Sequence, residues 1–201
     1  MRPAADDLPD GRTRLPDGQF LTSRFPVLTY GGTPRLEVAD WSFRVSGFGL
    51  SDEVTFDWPG FQALGSHETV RDFHCVTTWS RYDNRWAGVP VRAFWDAFQS
   101  VLSEQPAAVM LHCAGGYTTN LLLDDFIRDD NLFATHHDGE VLTAEHGGPM
   151  RFVCHHLYAW KSAKWIVGVE LLDEDRRGFW ERNGYHVRGD PWAEQRYAYQ
   201  E

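Results

Sequence analysis

The run Val70-Arg71-Asp72-Phe73-His74-Cys75-Val76-Thr77-Thr78-Trp79-Ser80 alternates Val70, Asp72, His74 and Val76 against Arg71, Phe73 and Cys75. A period of two predicts a strand over 70–76, with His74 and Cys75 facing opposite sides. Upstream, short strand-like stretches at 36–38, 41–45 and 54–56 are punctuated by Gly31-Gly32 and Gly47, and Trp41, Phe43 and Val45 alternate. Downstream, Val91, Phe94, Trp95, Phe98, Val101 and Leu102 fall on one face of a helix predicted over 91–102, with Pro106 beyond its end. An apolar strand at 107–112 delivers His112 and Cys113 into the loop Ala114-Gly115-Gly116-Tyr117. A short helix at 121–127 and buried strands at 151–154 and 165–171 follow. Strands outnumber helices without a βαβ rhythm, so the expected class is α+β, mixed and strand-rich. Residues 1–23, rich in Pro, Gly, Asp and Arg, predict a flexible or draped N-terminal arm, and 24–201 a single domain.

The 201 residues carry 19 Lys+Arg against 29 Asp+Glu, a formal charge of −10. That sign opposes sequence-independent nucleic-acid binding, which needs a positive field along the phosphates. With 42% hydrophobic and 24% charged residues, the composition is that of a folded domain. No apolar run approaches the roughly 20 residues of a membrane span. The N-terminus has early acids and no apolar core of a signal peptide, and Arg12 and Arg14 form no twin-arginine address, so the expected compartment is the cytoplasm. Nine tryptophans are about twice the usual number. Core packing accounts for them, as does a pocket around a large flat cofactor.

Three cysteines, Cys75, Cys113 and Cys154, each have a histidine neighbour: His74, His112 and His155. An odd count without a CxxC pair argues against a disulfide framework, a zinc ribbon or an iron–sulfur cluster. A zinc site remains open, although adjacent strand residues diverge and only one member of each pair could reach a common metal. Buried filler is the commoner fate of a lone cysteine. Phosphate-loop, dinucleotide-binding, HExxH and GxSxG motifs are absent. Trp160-Lys161-Ser162-Ala163-Lys164-Trp165 sets two lysines and a hydroxyl between tryptophans in an acidic chain, which reads either as a solvated turn or as an anion clamp with Arg151.

Three blocks, in order, give a resemblance. They are Asp72 to Ser80 followed by Trp86-Ala87-Gly88-Val89-Pro90-Val91; His146-Gly147-Gly148-Pro149-Met150-Arg151 with Tyr158 to Trp165; and Gly178-Phe179-Trp180-Glu181 with Gly184-Tyr185-His186 and Asp190-Pro191-Trp192. From about residue 24 to its end the chain resembles the sulfite oxidase-like molybdopterin-binding oxidoreductases, in their small bacterial branch. The resemblance implies the sulfite oxidase-type fold over 24–201 and one Mo-molybdopterin without haem. It implies Cys75 as the metal ligand, a soft thiolate suited to the site. Arg151, Ser162, Ala163 through its backbone N–H, and Lys164 match phosphate-binding positions, and Lys161 lies in the same block. His146 and Cys113 stand where related members carry asparagine and threonine, as further cofactor neighbours.

The implied reaction is two-electron oxygen-atom transfer on a small substrate, with sulfur compounds among the candidates, coupled to an external electron carrier. His74, Trp79 and Tyr117 are expected in the catalytic pocket beside Cys75, with His112 and His155 as further lining. Arg71, Arg81 and Arg85 are the only arginines near Cys75 in sequence, and the family's arginine-rich cysteine segment is replaced by HCVTTWS. That departure points away from sulfite. Partners are thus a small molecule and a carrier, with no nucleic acid or membrane, and the missing dimerisation domain suggests a monomer. The alternatives are a non-catalytic molybdopterin-binding protein and a zinc-stabilised structural domain.

Overall fold

A computed structural model describes residue 8 and residues 11–201. Its strands are β1 (Phe20–Leu21), β2 (Ser42–Gly47), β3 (Val54–Asp57), β4 (His67–His74), β5 (Trp79–Pro90), β6 (Ala108–Cys113), β7 (Thr118–Leu122), β8 (Leu132–His137), β9 (Glu140–Val141), β10 (Arg151–Val153) and β11 (Ile166–Leu172). Short helices α1 (Trp58–Gln62), α2 (Val91–Asp96), α3 (Leu123–Phe126) and α4 (Phe179–Arg182) are interspersed. The fold is α+β with mixed sheets. Among the described residues no helix is long and apolar enough to cross a membrane.

One sheet runs β3-β2-β11-β6-β7, with β11 parallel to β2 and antiparallel to β6. The other follows β1-β5-β8-β10, with β4 paired to β5 and β9 to β8. Period-two alternation does its work in both. Trp41, Phe43 and Val45 turn inward with Val109, Leu111, Val169 and Leu171, and α2 lays Val91, Phe94 and Trp95 over them. β8 sends Phe133 into this main core and Leu132 and Ala134 into a second cluster on its other face. β10 does the same with Phe152 and Val153. The second cluster, built on Phe73, Cys75, Trp79 and Trp86, forms the floor of the site described below.

Several boundaries move from their expected places. The strand expected over 70–76 starts at His67 and stops at His74, because the Thr78 N–H closes a turn onto the Cys75 carbonyl. Residues 36–38 form no strand; Val38–Asp40 is a single 3-10 turn. The helix expected over 91–102 ends at Asp96. The backbone leaves helical geometry at Phe98 (φ −134°), whose ring still packs on Phe94 and Trp95, and the following turn carries Val101 out to 60% exposure. Of the helix expected over 121–127, Leu121 and Leu122 instead finish β7, paired with Val109 and Ala108. The expected arm lies partly outside the described residues. Its later part runs along the second sheet: Phe20 and Leu21 pair in parallel with Trp79 and Ser80, and Arg14 grips Asp72 at 2.6 and 2.7 Å.

Candidate active site

Cys75 opens the four-residue connection between β4 and β5. Its N–H donates to the Trp79 carbonyl and its carbonyl accepts from the Thr78 N–H, both at 2.9 Å, and Thr78 takes a left-handed conformation (φ 76°). This tight closure projects the thiol into a cavity of about 350 Å³. Burial pushes the thiol pKa up, while the Thr77 hydroxyl, 3.2 Å from Sγ, and the charge of Arg196 pull it down. Arg196 also braces the turn by donating to the Val76 carbonyl at 2.5 Å.

Arg151, at the start of β10, is 4% exposed. Its terminal nitrogens donate to the His146 and Ser162 carbonyls at 3.0 and 2.9 Å, and its Nε has no partner. Phe73 and Trp86 lie 5.4 Å from the guanidinium and Phe25 5.9 Å. Burial lowers its pKa to about 9, opposed only by Cys113. An isolated buried charge is costly, and among the described residues no carboxylate pairs with this arginine.

Lys164 lies beside it. Its ammonium donates to the Leu28 carbonyl, the Thr29 hydroxyl and the Glu145 carbonyl at 2.7–2.9 Å. Burial and the Arg151 charge lower its pKa to about 8. Gly147 allows the two cations to approach: at φ +107°, a Cβ there would sit 2.9 Å from the Lys164 stem and 3.1 Å from Arg151 Cβ. His146 completes the group. Its ring stacks on Phe25 at 4.5 Å with planes 2° apart, and burial followed by the Arg151 and Lys164 charges lowers its pKa.

Of the residues expected from sequence, Cys75, Trp79, Tyr117, His146, Arg151, Ser162, Ala163 and Lys164 all line this one cavity. Trp79 Nε1 is buried without a partner. Tyr117 presents its ring, since its hydroxyl donates to the Trp160 carbonyl at 2.6 Å. Two expected donors are already engaged. The Ser162 hydroxyl bonds both the N–H and the carbonyl of Cys154, and the Ala163 N–H donates to the Lys161 carbonyl across a three-residue turn. Both therefore contribute shape instead of free donors, and the Ser162 carbonyl holds Arg151.

Others lie elsewhere. Lys161 is fully buried beneath the cavity, its ammonium 2.6 Å from Glu181, because its side chain points opposite to Lys164. His74 is behind the cysteine turn; its Nδ1 is 2.8 Å from the Ser80 hydroxyl, which donates to Gln19, and burial lowers its pKa to about 4. Cys113 is buried beyond the cavity wall, near enough to Arg151 to influence it. His112 pairs with Glu170 at 2.9 Å away from the cavity, and His155 is buried outside the lining. Arg71, Arg81 and Arg85 each face a carboxylate, of Asp130, Asp138 and Glu68 respectively, and none lines the cavity. Among the described residues no three His, Cys, Asp or Glu side chains form a metal-binding group, so the zinc-domain alternative has no ligand set.

The sequence reading missed the roof. Residues 25–30 cross the cavity, with Phe25 between His146 and His137 at 4.5 and 4.6 Å. Nothing periodic marks this strap, although Phe25-Pro26-Val27-Leu28-Thr29-Tyr30 is a short apolar and aromatic run between polar segments. Trp160, Trp180 and Tyr185 also line the cavity. They belong to the quoted blocks, but a tryptophan's place on a wall is invisible without the fold.

The oxidoreductase molybdopterin binding domain matches residues 30–180 of this chain. The uncharacterized oxidoreductase YuiH of Bacillus subtilis is 46% identical over 192 residues, covering 94% of this chain and 95% of its own. The protein-methionine-sulfoxide reductase catalytic subunit MsrP of Xanthomonas campestris is 27% identical over 164 residues, covering 72% of this chain and 49% of its own. Among solved structures, the sulfane dehydrogenase SoxCD of Paracoccus pantotrophus superposes with a TM-score of 0.64 at 15% identity, over 80% of this chain and 46% of that one. That likeness establishes the shared fold.

Proposed function

The chain belongs to the oxidoreductase molybdopterin-binding domain family, and from that premise we propose that it is an oxygen-atom-transfer enzyme whose Mo-molybdopterin sits in the cavity between Cys75 and the Arg151–Lys164 pair. The single observation that carries the reading is that pair: two adjacent, partly or fully buried cations that form no ion pair with a carboxylate among the described residues, and an unpartnered Arg151 Nε, in a chain of net charge −10. An anionic group fits that end. At the other end a buried thiol fits a metal, because coordination stabilises the thiolate that burial disfavours.

When bound, the group supplies two-electron oxygen-atom transfer. The chain's own residues do the rest. Cys75, fixed by its turn, would hold the metal, and Arg151 with Lys164 would hold the phosphate. Trp79 lines the cavity beside Cys75 with its indole N–H buried and unpartnered. Phe25 and the rest of residues 25–30 limit water access from above. Among the described residues the cavity lining presents no Lys or Arg beyond Arg151 and Lys164, so a substrate sharing it meets neutral and aromatic walls. That supports a small neutral oxygen donor or acceptor over a dianion such as sulfite, and the methionine-sulfoxide activity in the name of the Xanthomonas relative points the same way. Electrons would pass to or from an external one-electron carrier. The cytoplasm is the proposed compartment, the three cysteines being unpaired thiols.

The test is turnover of cofactor-loaded protein in two assays. Reduction of a neutral sulfoxide by a reduced viologen dye is expected, with sulfite-dependent reduction of ferricyanide at background. The reverse pattern would overturn the substrate reading.

A further inference from the structure

The fully buried ion pair beneath the cavity, Lys161 with Glu181, takes no part in the account above. Glu181 is 1% exposed and its Oε1 accepts from three donors: Lys161 Nζ at 2.6 Å, the Thr119 hydroxyl at 3.0 Å and the indole Nε1 of Trp160 at 2.9 Å. Lys161 donates further to the carbonyl and side-chain oxygens of Asn120 and to the Val187 carbonyl. Such a pair costs more desolvation than an apolar pair of the same volume, so stability alone gives no reason for it here.

What the pair touches gives a reason. Trp160 lines the cavity and is gripped on every side. Its carbonyl accepts from the Tyr117 hydroxyl at 2.6 Å. Its ring stacks on Tyr158 at 5.4 Å and meets Tyr185 edge-on at 5.2 Å. Behind it, Gly189 leaves room that a Cβ would fill at 2.6 Å from a ring carbon. The one polar atom of the indole is tied to Glu181.

We infer that Glu181, held in place by Lys161, is a positioning residue that fixes the plane of Trp160 as a wall of the ligand cavity. This gives Lys161 a role different from the cofactor contact expected from its sequence block. It also explains why a glutamate in the Gly178-Phe179-Trp180-Glu181 block is buried. The indole tether stands by itself; its consequence for the pterin rests on the cofactor reading.

Two double variants in one background separate the tether from the charge. Lys161→Met with Glu181→Gln keeps an acceptor for the indole, whereas Lys161→Met with Glu181→Leu removes it. Hydrogen exchange of the Trp160 indole N–H, assigned by its loss in Trp160→Phe, is read in the apoprotein, and pterin affinity by tryptophan quenching. The leucine variant is expected to exchange at least about 100-fold faster than the glutamine variant and to bind pterin about tenfold more weakly. Val45→Ala, a fully buried core position on β2 at the far side of the sheet from β7, controls for general destabilisation and is expected to bind pterin as the parent does. Equal exchange in the two double variants would overturn the tether. Faster exchange with equal pterin affinity would overturn its role as a ligand wall. A parent chain that bound no pterin would instead overturn the cofactor reading, with the exchange comparison still deciding the tether.

Discussion

Two aromatic regions lie back to back across β8 and β10, and they are built on opposite principles. On one side Phe43, Phe61, Phe94, Phe126, Phe133 and Phe152 are wholly buried and meet mostly edge-on or tilted, as Phe94 does with Phe133 at 5.0 Å. These six rings carry no polar atom, and the indole packed on Phe43 and Phe61, that of Trp41, leaves a single buried nitrogen without a partner. On the other side Phe25, Phe73 and Trp86 surround the guanidinium of Arg151, and three buried nitrogens, Trp79 Nε1, Trp86 Nε1 and Arg151 Nε, lack partners. Each unsatisfied donor costs on the order of 1–3 kcal/mol. A fold that packs phenylalanine so completely on one face could have done so on the other. The difference marks the second region as shaped for an occupant.

The comparison can be broken most severely in the phenylalanine core. Phe133→Ala should destabilise the apoprotein by about 3–5 kcal/mol, the usual penalty for emptying a buried aromatic site, as read by urea denaturation. A smaller loss would mean that this side is no better packed than the other. Acid should act through the opposite side. His74 has a folded pKa near 4 against an ordinary value of 6.5, owing first to burial. Between those values the unfolded chain binds the proton that the folded chain refuses, so stability falls as pH drops from about 6.5 to 4. The loss attributable to His74 is on the order of 3 kcal/mol. A His74→Gln chain with an undiminished acid slope would sever this link.

Arg151→Met sharpens the contrast further, because function and stability should move in opposite directions. Removing an uncompensated buried charge should leave the apoprotein as stable or more so by about 1–2 kcal/mol. Pterin affinity should fall by the roughly 1.5–3 kcal/mol of a charged hydrogen bond. Lys164 predicts a gentler alkaline effect. With a folded pKa near 8, below the ordinary 10.5, it makes apoprotein stability rise from about pH 8 to 10.5, and Lys164→Gln should flatten that rise. Smallest of all, Val101→Ser should change stability by no more than about 0.5 kcal/mol, since that side chain is 60% exposed.

Val101 also shows where the sequence could be read and where it could not. The alternation of Trp41, Phe43 and Val45 and the apolar run before His112 gave true strands, because a buried face imposes its period on the chain. Helical spacing through residues 91–102 was equally regular, yet tertiary packing of Phe98 ended the helix early. Within the site, the family resemblance singled out Cys75, and Arg151 and Lys164 stood out as cations in an acidic chain; the fold brings all three to one cavity. The place of Lys161 was not legible, because two lysines three apart in one turn look alike until the backbone sends one into the cavity and the other beneath it. The strap at 25–30 left no periodic trace, for it holds its place through ring stacking and a lysine and not through a repeating face.

The central claim is that this cavity holds molybdenum on Cys75 and a pterin phosphate on Arg151 and Lys164. Molybdenum and pterin content of the chain purified from a molybdopterin-competent host, measured beside Cys75→Ser, tests it most directly. The account predicts near-stoichiometric molybdenum and pterin in the parent, with Cys75→Ser losing molybdenum or one sulfur ligand to it while still binding pterin. A parent chain containing neither, or a Cys75→Ser chain with full molybdenum and unchanged sulfur coordination, would contradict it.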